Sequence, residues 1–273
     1  MLVSLRTAAR MGGFVLWTVF AAGLALLGRI VLLPSRTARA RWGAYSASWW
    51  GRGCCWMAGL ELVVEGPRPP PGSFVAANHV SWADIWALGA ACPAMFIAKV
   101  EISTWPIMGW LSKLGSTLWI DRRRMRDTAR MREELRDYLG RGVRIHMFAE
   151  GGAGDGVRIR PFRPPLFEAA AALGVPCVPA VLRYQKEDFW WPEDAVLARH
   201  FLRCLGLPRS RVLVRFGLPV TGIGDRKELA AELQRRSEEL YLDSEARFSG
   251  AWQSVSSASI SRSWSSRRSS SEQ

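Results

Sequence analysis

The chain has 273 residues, of which 37 are basic and 24 acidic, so its formal net charge is +13 at pH 7. Its five cysteines, at positions 54, 55, 92, 177 and 204, have no metal-ligand spacing, and their odd number with one adjacent pair argues against a disulfide framework. The length suits one domain, and this cysteine usage fits a reducing compartment.

An apolar segment, residues 14–33, is the first predicted element. It approaches the roughly 20 residues needed to span a bilayer, but Arg29 interrupts it. Three arrangements stay open: a tilted span, a helix lying in the interface, and an uncleaved signal-like anchor. We expect residues 1–60 to form a membrane anchor of unspecified depth, with a buried amphipathic helix as the alternative.

Charge and tryptophan content around this segment indicate a membrane surface. Every charged residue before Glu61 is an arginine, and Arg36, Arg39 and Arg41 directly follow the segment. Each such residue gains on the order of 1 kcal/mol near an anionic leaflet. Tryptophans at positions 42, 49, 50 and 56 suit the headgroup region. We therefore predict an anionic bilayer surface as partner and the cytoplasmic face as the location.

Residues 61–248 are predicted to form an α/β domain, with a central mostly parallel or mixed sheet flanked by helices. Apolar runs predict strands near 62–65, 73–77, 94–98, 117–120, 144–148, 177–182 and 211–216. Helical spacing predicts helices over 125–139, 167–173 and 227–242. The serine- and arginine-rich residues 249–273 are predicted to be a disordered tail.

A histidine and a carboxylate lie five positions apart in the segment NHVSWAD, residues 78–84. We expect His79 in the turn at the carboxyl end of a strand and Asp84 in the first turn of the next helix, so that the two side chains can meet. A neutral imidazole with a pKa of about 6.5 accepts a proton at neutral pH, and a carboxylate on Nδ1 leaves Nε2 free. The pattern predicts a general base and its orienting carboxylate.

The same residues allow a purely structural interpretation. Ser81-x-x-Asp84 is also a capping-box pattern, in which Asp84 only binds backbone amides at a helix start. His79 could likewise be a hydrogen-bonded core histidine, although His146 and His200 lack a carboxylate at comparable spacing. The residues alone leave these alternatives open.

Four blocks in this order resemble the glycerolipid acyltransferase family, typified by 1-acyl-glycerol-3-phosphate acyltransferase. The blocks are the His-x-x-x-x-Asp segment, GSTLWIDR at 115–122, FAEG at 148–151 and VPCVP at 175–179. The matched region runs from roughly residue 62 to residue 216. The resemblance implies transfer of an acyl group from an acyl carrier protein or coenzyme A thioester to the hydroxyl of a lysolipid.

The resemblance also implies roles for individual residues. His79 acts as general base, Asp84 orients it, and Arg122, Glu150 and Gly151 bind the acceptor, in keeping with the affinity of guanidinium for phosphate or carboxylate. The acyl thioester is a substrate, and neither a metal nor a nucleotide cofactor is expected. The glycines after Glu150 do not have the spacing of a dinucleotide fingerprint.

The third block departs from the family pattern, which usually reads Phe-Pro-Glu-Gly-Thr followed by Arg or Ser. Here Ala149 replaces the proline, and Gly152 and Ala153 replace the polar pair. The sequence that follows is more similar to the lyso-ornithine-lipid branch, so the acceptor can differ from lysophosphatidate. The amphiphilic segment 105–111 suits an acyl tunnel, a bilayer contact or ordinary core packing.

Two functions of other classes compete with this interpretation. The basic charge and 14 tryptophans suit a nucleic-acid binder, but the arginines crowd around an apolar segment and the tail, so we predict no nucleic-acid partner. The altered third block is compatible with a catalytically silent membrane scaffold of the same fold. An acyl-transfer assay separates the scaffold from the enzyme.

Overall fold

The computed structural model describes residues 2–32, 34–121, 125–191 and 196–249. Its strands are β1 (Leu60–Glu65), β2 (Phe74–Ala77), β3 (Met95–Lys99), β4 (Leu118–Ile120), β5 (Ile145–Phe148), β6 (Cys177–Tyr184) and β7 (Ser210–Phe216). They form one sheet in the spatial order β1, β7, β6, β2, β5, β3, β4. All neighbours pair parallel except β6 and β7, which pair antiparallel. The predicted α/β fold class with a mixed sheet is confirmed.

Helices cover both faces of this sheet. They are α1 (Leu2–Val31), α2 (Arg36–Ala58), α3 (Asp84–Ala91), α4 (Met108–Leu114), α5 (Met125–Gly140), α6 (Glu168–Leu173), α7 (Leu197–Gly206) and α8 (Arg226–Ser249). Short 3₁₀ helices lie at Val100–Thr104, Pro164–Phe167 and Glu187–Phe189.

The central strand β2 shows how the two cores arise. Phe74 and Ala76 belong to the core shared with α5, α6 and α8, while Val75 and Ala77 belong to the core shared with α2, α3 and α7. All four side chains are fully buried. A strand buried on both faces is apolar throughout, which is why this run has no polar alternation.

The direction of the strands positions the candidate site. β2, β3, β5 and β6 run parallel to one another, so their carboxyl ends lie at the same edge of the sheet. Ala77 pairs with Phe148 at that edge. His79 and Glu150, each two positions beyond these strand ends, are therefore brought together at the place where ligands gather in α/β sheets.

Small residues allow α2 to pack closely against the domain. A Cβ on Gly51 would lie only 2.6 Å from the carbonyl oxygen of Trp86 in α3. Two α2 tryptophans instead hold α1: Trp42 donates to the Ala25 carbonyl at 3.0 Å, and Trp50 donates to the Thr18 hydroxyl at 3.1 Å. Part of the tryptophan-rich stretch thus contacts protein, while the Trp49 and Trp56 side chains are exposed.

Both ends of α1 are bonded to the rest of the protein. Arg10 donates to the carbonyls of Ala58, Leu205 and Leu207, at the carboxyl ends of α2 and α7. Arg29 donates to the Lys113 carbonyl, near the end of α4. Carbonyls at helix ends lack intrahelical donors and carry partial negative charge, which suits a guanidinium. Residues 5–31 form the one helix in the described ranges that is long and apolar enough to cross a bilayer.

The predicted strands agree with the observed ones to within two residues at each end. Two of the three predicted helices extend further, since α5 continues to Gly140 and α8 to Ser249, and the predicted helix 167–173 begins with a 3₁₀ turn. Residues 250–273 of the predicted tail lie outside the described residues. The domain boundaries at residues 60 and 248 stay a prediction.

A buried histidine makes the fold sensitive to acid. His146, in β5, is fully buried, and neither of its ring nitrogens has a hydrogen-bond partner among the described residues. Burial lowers its pKa to about 3. The unfolded chain takes up this proton near pH 6.5 and the folded chain only near pH 3, so stability falls as the pH drops through that window.

We expect this histidine to reduce the free energy of unfolding by about 2 kcal/mol between pH 7 and pH 5. The measurement is urea unfolding in detergent micelles at both pH values, for the wild type and His146→Leu. The variant should lose this part of the pH dependence. Equal acid sensitivity in the two proteins would show that another group is responsible.

Candidate active site

His79 and Asp84 are in direct contact. The imidazole Nδ1 lies 2.8 Å from Asp84 Oδ2, and the side chains are 19% and 0% exposed respectively. An ionised carboxylate only accepts, so the imidazole proton lies on Nδ1 and Nε2 keeps its lone pair. No described residue forms a hydrogen bond with Nε2. The ring is therefore able to accept a proton from a bound molecule.

The same carboxylate also builds the turn that carries His79. Oδ2 accepts from the backbone amides of Val80 at 2.7 Å and Ser81 at 2.9 Å, and Oδ1 accepts from the Tyr184 hydroxyl at 2.7 Å. Burial and the Asp84 charge raise the pKa of Tyr184 well above its ordinary value, so its hydroxyl stays a donor. The two interpretations of Asp84 therefore describe one group, which contacts the imidazole and also binds the amides of the turn.

Two further contacts hold the segment in place. The side-chain Nδ2 of Asn78 donates to the Leu182 carbonyl at 3.1 Å, and its Oδ1 accepts from the Leu182 backbone amide at 2.7 Å. These two hydrogen bonds continue the contact between β2 and β6 beyond Ala77. Phe148, the last residue of β5, stacks on the imidazole with ring centroids 4.0 Å apart and planes 13° apart. The imidazole is thus fixed at its edge by Asp84 and on one face by Phe148.

Glu150 lies directly behind the His79 backbone. Its Oε1 accepts from the His79 amide at 3.2 Å, whereas its Oε2 has no partner among the described residues. The residue is only 4% exposed. Burial raises the pKa of Glu150 to about 8, and the nearby Asp84 charge acts in the same direction. This carboxyl is therefore mostly protonated at neutral pH.

Gly151 and Gly152 turn the chain away from β5 beside the imidazole. Gly151 has φ of 76°, a left-handed conformation that side chains rarely adopt, so the turn itself favours a glycine there. Both glycines line the same cavity as His79. Of the predicted acceptor-binding residues, Glu150 and Gly151 are thus brought to His79, and Arg122 lies outside the described residues.

An apolar cavity of about 560 Å³ opens beside His79. Its volume is in the usual range for a small-molecule site. Its walls come from α1, α2, β3, α4 and the end of β5, and include Ala21, Ala22, Ala25, Phe96, Trp105, Met108, Leu111, Leu114 and Phe148. The segment 105–111 therefore contributes to the wall, while Trp105, Ile107 and Trp110 also expose much of their surface.

The sequence did not identify Tyr184 or Lys99 as parts of the site. Tyr184 is 100 positions from its partner Asp84, and only the parallel pairing of β2 with β6 brings the two together. Lys99 ends β3 and lines the cavity. The sequence signal for Lys99 was its position at the carboxyl end of a strand that runs parallel to β5, because the carboxyl ends of parallel strands share one edge of the sheet.

Comparisons with known proteins agree with this architecture. The 1-acyl-sn-glycerophosphate (LPA) acyltransferase PlsC from Thermotoga maritima has a similar fold, with a TM-score of 0.68 over 90% of this chain and 97% of that one, at 21% identity.

Sequence comparisons extend the likeness. The family model described as Acyltransferase matches residues 62–183. The lyso-ornithine lipid O-acyltransferase from Pseudomonas aeruginosa is 34% identical over 193 residues, 68% of this chain and 74% of that protein. The 1-acyl-sn-glycerol-3-phosphate acyltransferase from Neisseria gonorrhoeae is 38% identical over 129 residues, 47% of this chain and 51% of that protein. The chain therefore belongs to the acyltransferase family.

Proposed function

We propose that this acyltransferase moves a fatty acyl group from an acyl carrier protein or coenzyme A thioester to the hydroxyl of a lysolipid. The observation that carries the proposal is the His79–Asp84 pair, because Asp84 binds Nδ1 of His79 and His79 lines an apolar cavity of about 560 Å³. A base alone would suit many reactions. A base beside a carbon-lined cavity suits chemistry on a group attached to a hydrocarbon chain.

The proposed reaction is a direct transfer. The acceptor hydroxyl gives its proton to Nε2 of His79 as its oxygen forms a bond with the thioester carbonyl carbon. The carbon–sulfur bond then breaks, and the imidazolium returns the proton to the leaving sulfur. Asp84 stabilises the imidazolium while it exists. Ser81 Oγ accepts from the Ala83 amide at 3.2 Å and serves the turn, which supports a route without an acyl-enzyme.

A lyso-ornithine lipid is the second candidate acceptor, beside 1-acyl-glycerol-3-phosphate. The sequence that follows the third block, residues 155–167, favours a lyso-ornithine lipid, as does the long match to the Pseudomonas aeruginosa relative. Arg122 and Lys99 offer cationic groups for a phosphate or a carboxylate, so both acceptors fit the charges. The hydroxyl chemistry at His79 is the same for either lipid.

The test is an assay with both acceptors and both donors. Purified protein in detergent micelles receives acyl carrier protein or coenzyme A thioesters, and free thiol and acylated lipid are measured together. We expect thiol release only when a lysolipid is present, with one molecule of product for each thiol. Silence with every combination would instead favour the non-catalytic scaffold of the same fold.

Two substitutions of Glu150 test whether its carboxyl works in the neutral or in the ionised form. Glu150→Gln keeps an acceptor for the His79 amide and should keep most of the turnover. Glu150→Leu leaves that amide without a partner and should lose about tenfold or more, since an unpaired buried donor costs about 1–3 kcal/mol. Above pH 8, where Glu150 ionises beside Asp84, wild-type activity should fall more than that of the glutamine variant. A dead glutamine variant would instead mean that the charged form binds the acceptor.

We propose further that α1 lies in the membrane interface. Arg10 and Arg29 bond its two ends to the same α/β domain, so a crossing helix would carry parts of that domain to opposite sides of the bilayer. The outer face of α1 is apolar and exposed, and includes Leu16, Val19, Phe20, Leu27, Ile30 and Val31. An amphipathic helix with such a face binds in the plane of the interface. The cytoplasmic leaflet remains the proposed side, in keeping with five free, buried cysteines.

Charged residues on this face should release the protein from membranes. Leu16→Asp combined with Val19→Asp should reduce partitioning to anionic vesicles at least about tenfold, because burial of each such apolar side chain contributes about 1.5–3 kcal/mol. Leu218→Asp with Leu242→Asp is the matched control, since these two are equally exposed but lie outside α1. Flotation with vesicles measures both. Equal loss in the two proteins would contradict docking through α1.

A further inference from the structure

The segment between His79 and Asp84 is also hydrogen-bonded to a residue outside the His79–Asp84 pair. Trp82, within that segment, donates its indole N–H to Nδ1 of His200 at 2.8 Å. His200 belongs to α7 and is only 7% exposed. Its Nε2 lies 3.0 Å from the carbonyl oxygen of Asp188. The turn that carries the base is therefore connected through one histidine to α7 and to the residues preceding it.

This connection requires one particular tautomer of the His200 imidazole. Nδ1 accepts from Trp82 only if it carries no proton, so the single proton lies on Nε2 and is donated to the Asp188 carbonyl. Burial lowers the pKa of His200, which favours the same neutral form. Both contacts thus exist together in one tautomer.

Two more contacts join the same elements. The Trp191 amide donates to the Val80 carbonyl at 2.8 Å, and the Trp82 ring packs against Phe201 of α7 with centroids 5.0 Å apart. Val80 and Trp82 are therefore held from one side, while Asp84 holds the Val80 amide and the imidazole through its carboxylate. The position of the His79 ring depends on both sets of contacts.

We infer that His200 is a positioning residue for acyl transfer. It accepts a hydrogen bond from the Trp82 indole N–H and thereby holds the His79 turn in its working geometry. This inference rests on the proposed function. His200 itself touches neither the reacting atoms nor the cavity. Its loss affects the rate at which the bound substrates react, because small displacements of a base lower the rate steeply.

The test is a double-mutant cycle on Trp82 and His200. His200→Leu and Trp82→Phe should each lower kcat about tenfold with KM nearly unchanged, since each removes the same hydrogen bond. The double variant should be no slower than the slower single variant. His200→Asn, whose side-chain oxygen can accept in place of Nδ1, should restore part of kcat. His146→Leu is the control, as it removes another buried histidine that does not touch the turn, and its kcat should be that of the wild type.

The outcomes separate this inference from the proposed function. Inactive wild-type protein with every donor and acceptor would remove the proposed function itself. An active wild type, an inactive His79→Ala and an undiminished kcat in both His200→Leu and Trp82→Phe would overturn the inference alone. So would fully additive losses in the double variant, because the two side chains would then act independently. If His200→Leu fails to fold, Trp82→Phe tests the same bond from its other partner.

Discussion

His79→Ala should reduce acyl transfer to the background rate, a loss of about 10²–10⁴-fold in kcat. Among the described residues that line the cavity, the variant removes the only histidine, so the acceptor hydroxyl keeps its proton. The side chain is partly exposed, and without it Asp84 still accepts from the Val80 and Ser81 amides, so the protein should fold and bind lipid as before. Acylated product is measured against wild type at equal protein concentration.

Asp84→Asn provides the companion experiment. The asparagine oxygen, placed where Oδ2 lies, can still accept from the Val80 and Ser81 amides and from the imidazole, while its NH₂ group meets Tyr184. The turn is thereby retained, but the negative charge that stabilises the imidazolium is lost. We expect a loss of about 10²–10⁴-fold, as in other histidine–carboxylate pairs. Full turnover in this variant would leave Asp84 with a purely structural role.

Ala25→Phe should shorten the acyl chain that the enzyme accepts. Phe14 packs against Trp86, next to the His79 turn, with ring centroids 5.4 Å apart. Ala25 lies three turns further along α1, at a distance of about 16 Å. It also lines the cavity, so a phenyl ring there takes up part of its volume. Each excluded methylene should lower kcat/KM about fourfold, from about 0.8 kcal/mol of lost burial.

The measurement varies the chain length of the donor and of the lysolipid in two separate series. A shift in the donor series would assign the cavity to the transferred chain, and a shift in the acceptor series would assign it to the chain of the lysolipid. Val19→Phe is the matched control, because Val19 lies on the exposed face of α1. An unchanged profile in both series would mean that neither chain reaches α1.

The amino-acid sequence predicted the sheet well because its information is local. Val75 and its neighbours are apolar on both faces, and glycine and proline residues mark where strands begin, so the seven strands could be assigned with small errors. The His79–Asp84 contact was equally local, since five positions separate the two residues. Its local nature is also why the capping and orienting roles of Asp84 looked like alternatives.

Contacts between distant parts of the chain could not be predicted in the same way. Tyr184 meets Asp84 and His200 meets Trp82 only because the order of strands and the packing of α7 bring them there. The contribution of α1 to the cavity was missed for a related reason. Ala21, Ala22 and Ala25 have small side chains that carry little signal in an apolar segment, yet they face α2 and α4 rather than lipid.

The way α1 is attached has a practical consequence for handling the enzyme. Deleting an N-terminal apolar helix is a common route to a water-soluble form of a membrane-bound protein. Here the deletion would remove Arg10 from the carbonyls of Ala58, Leu205 and Leu207, and would open one side of the hydrophobic cavity to water. A shortened protein would be easier to keep in solution only at the expense of its fold and of the cavity beside His79, so detergents or nanodiscs around the 273-residue chain are the better choice.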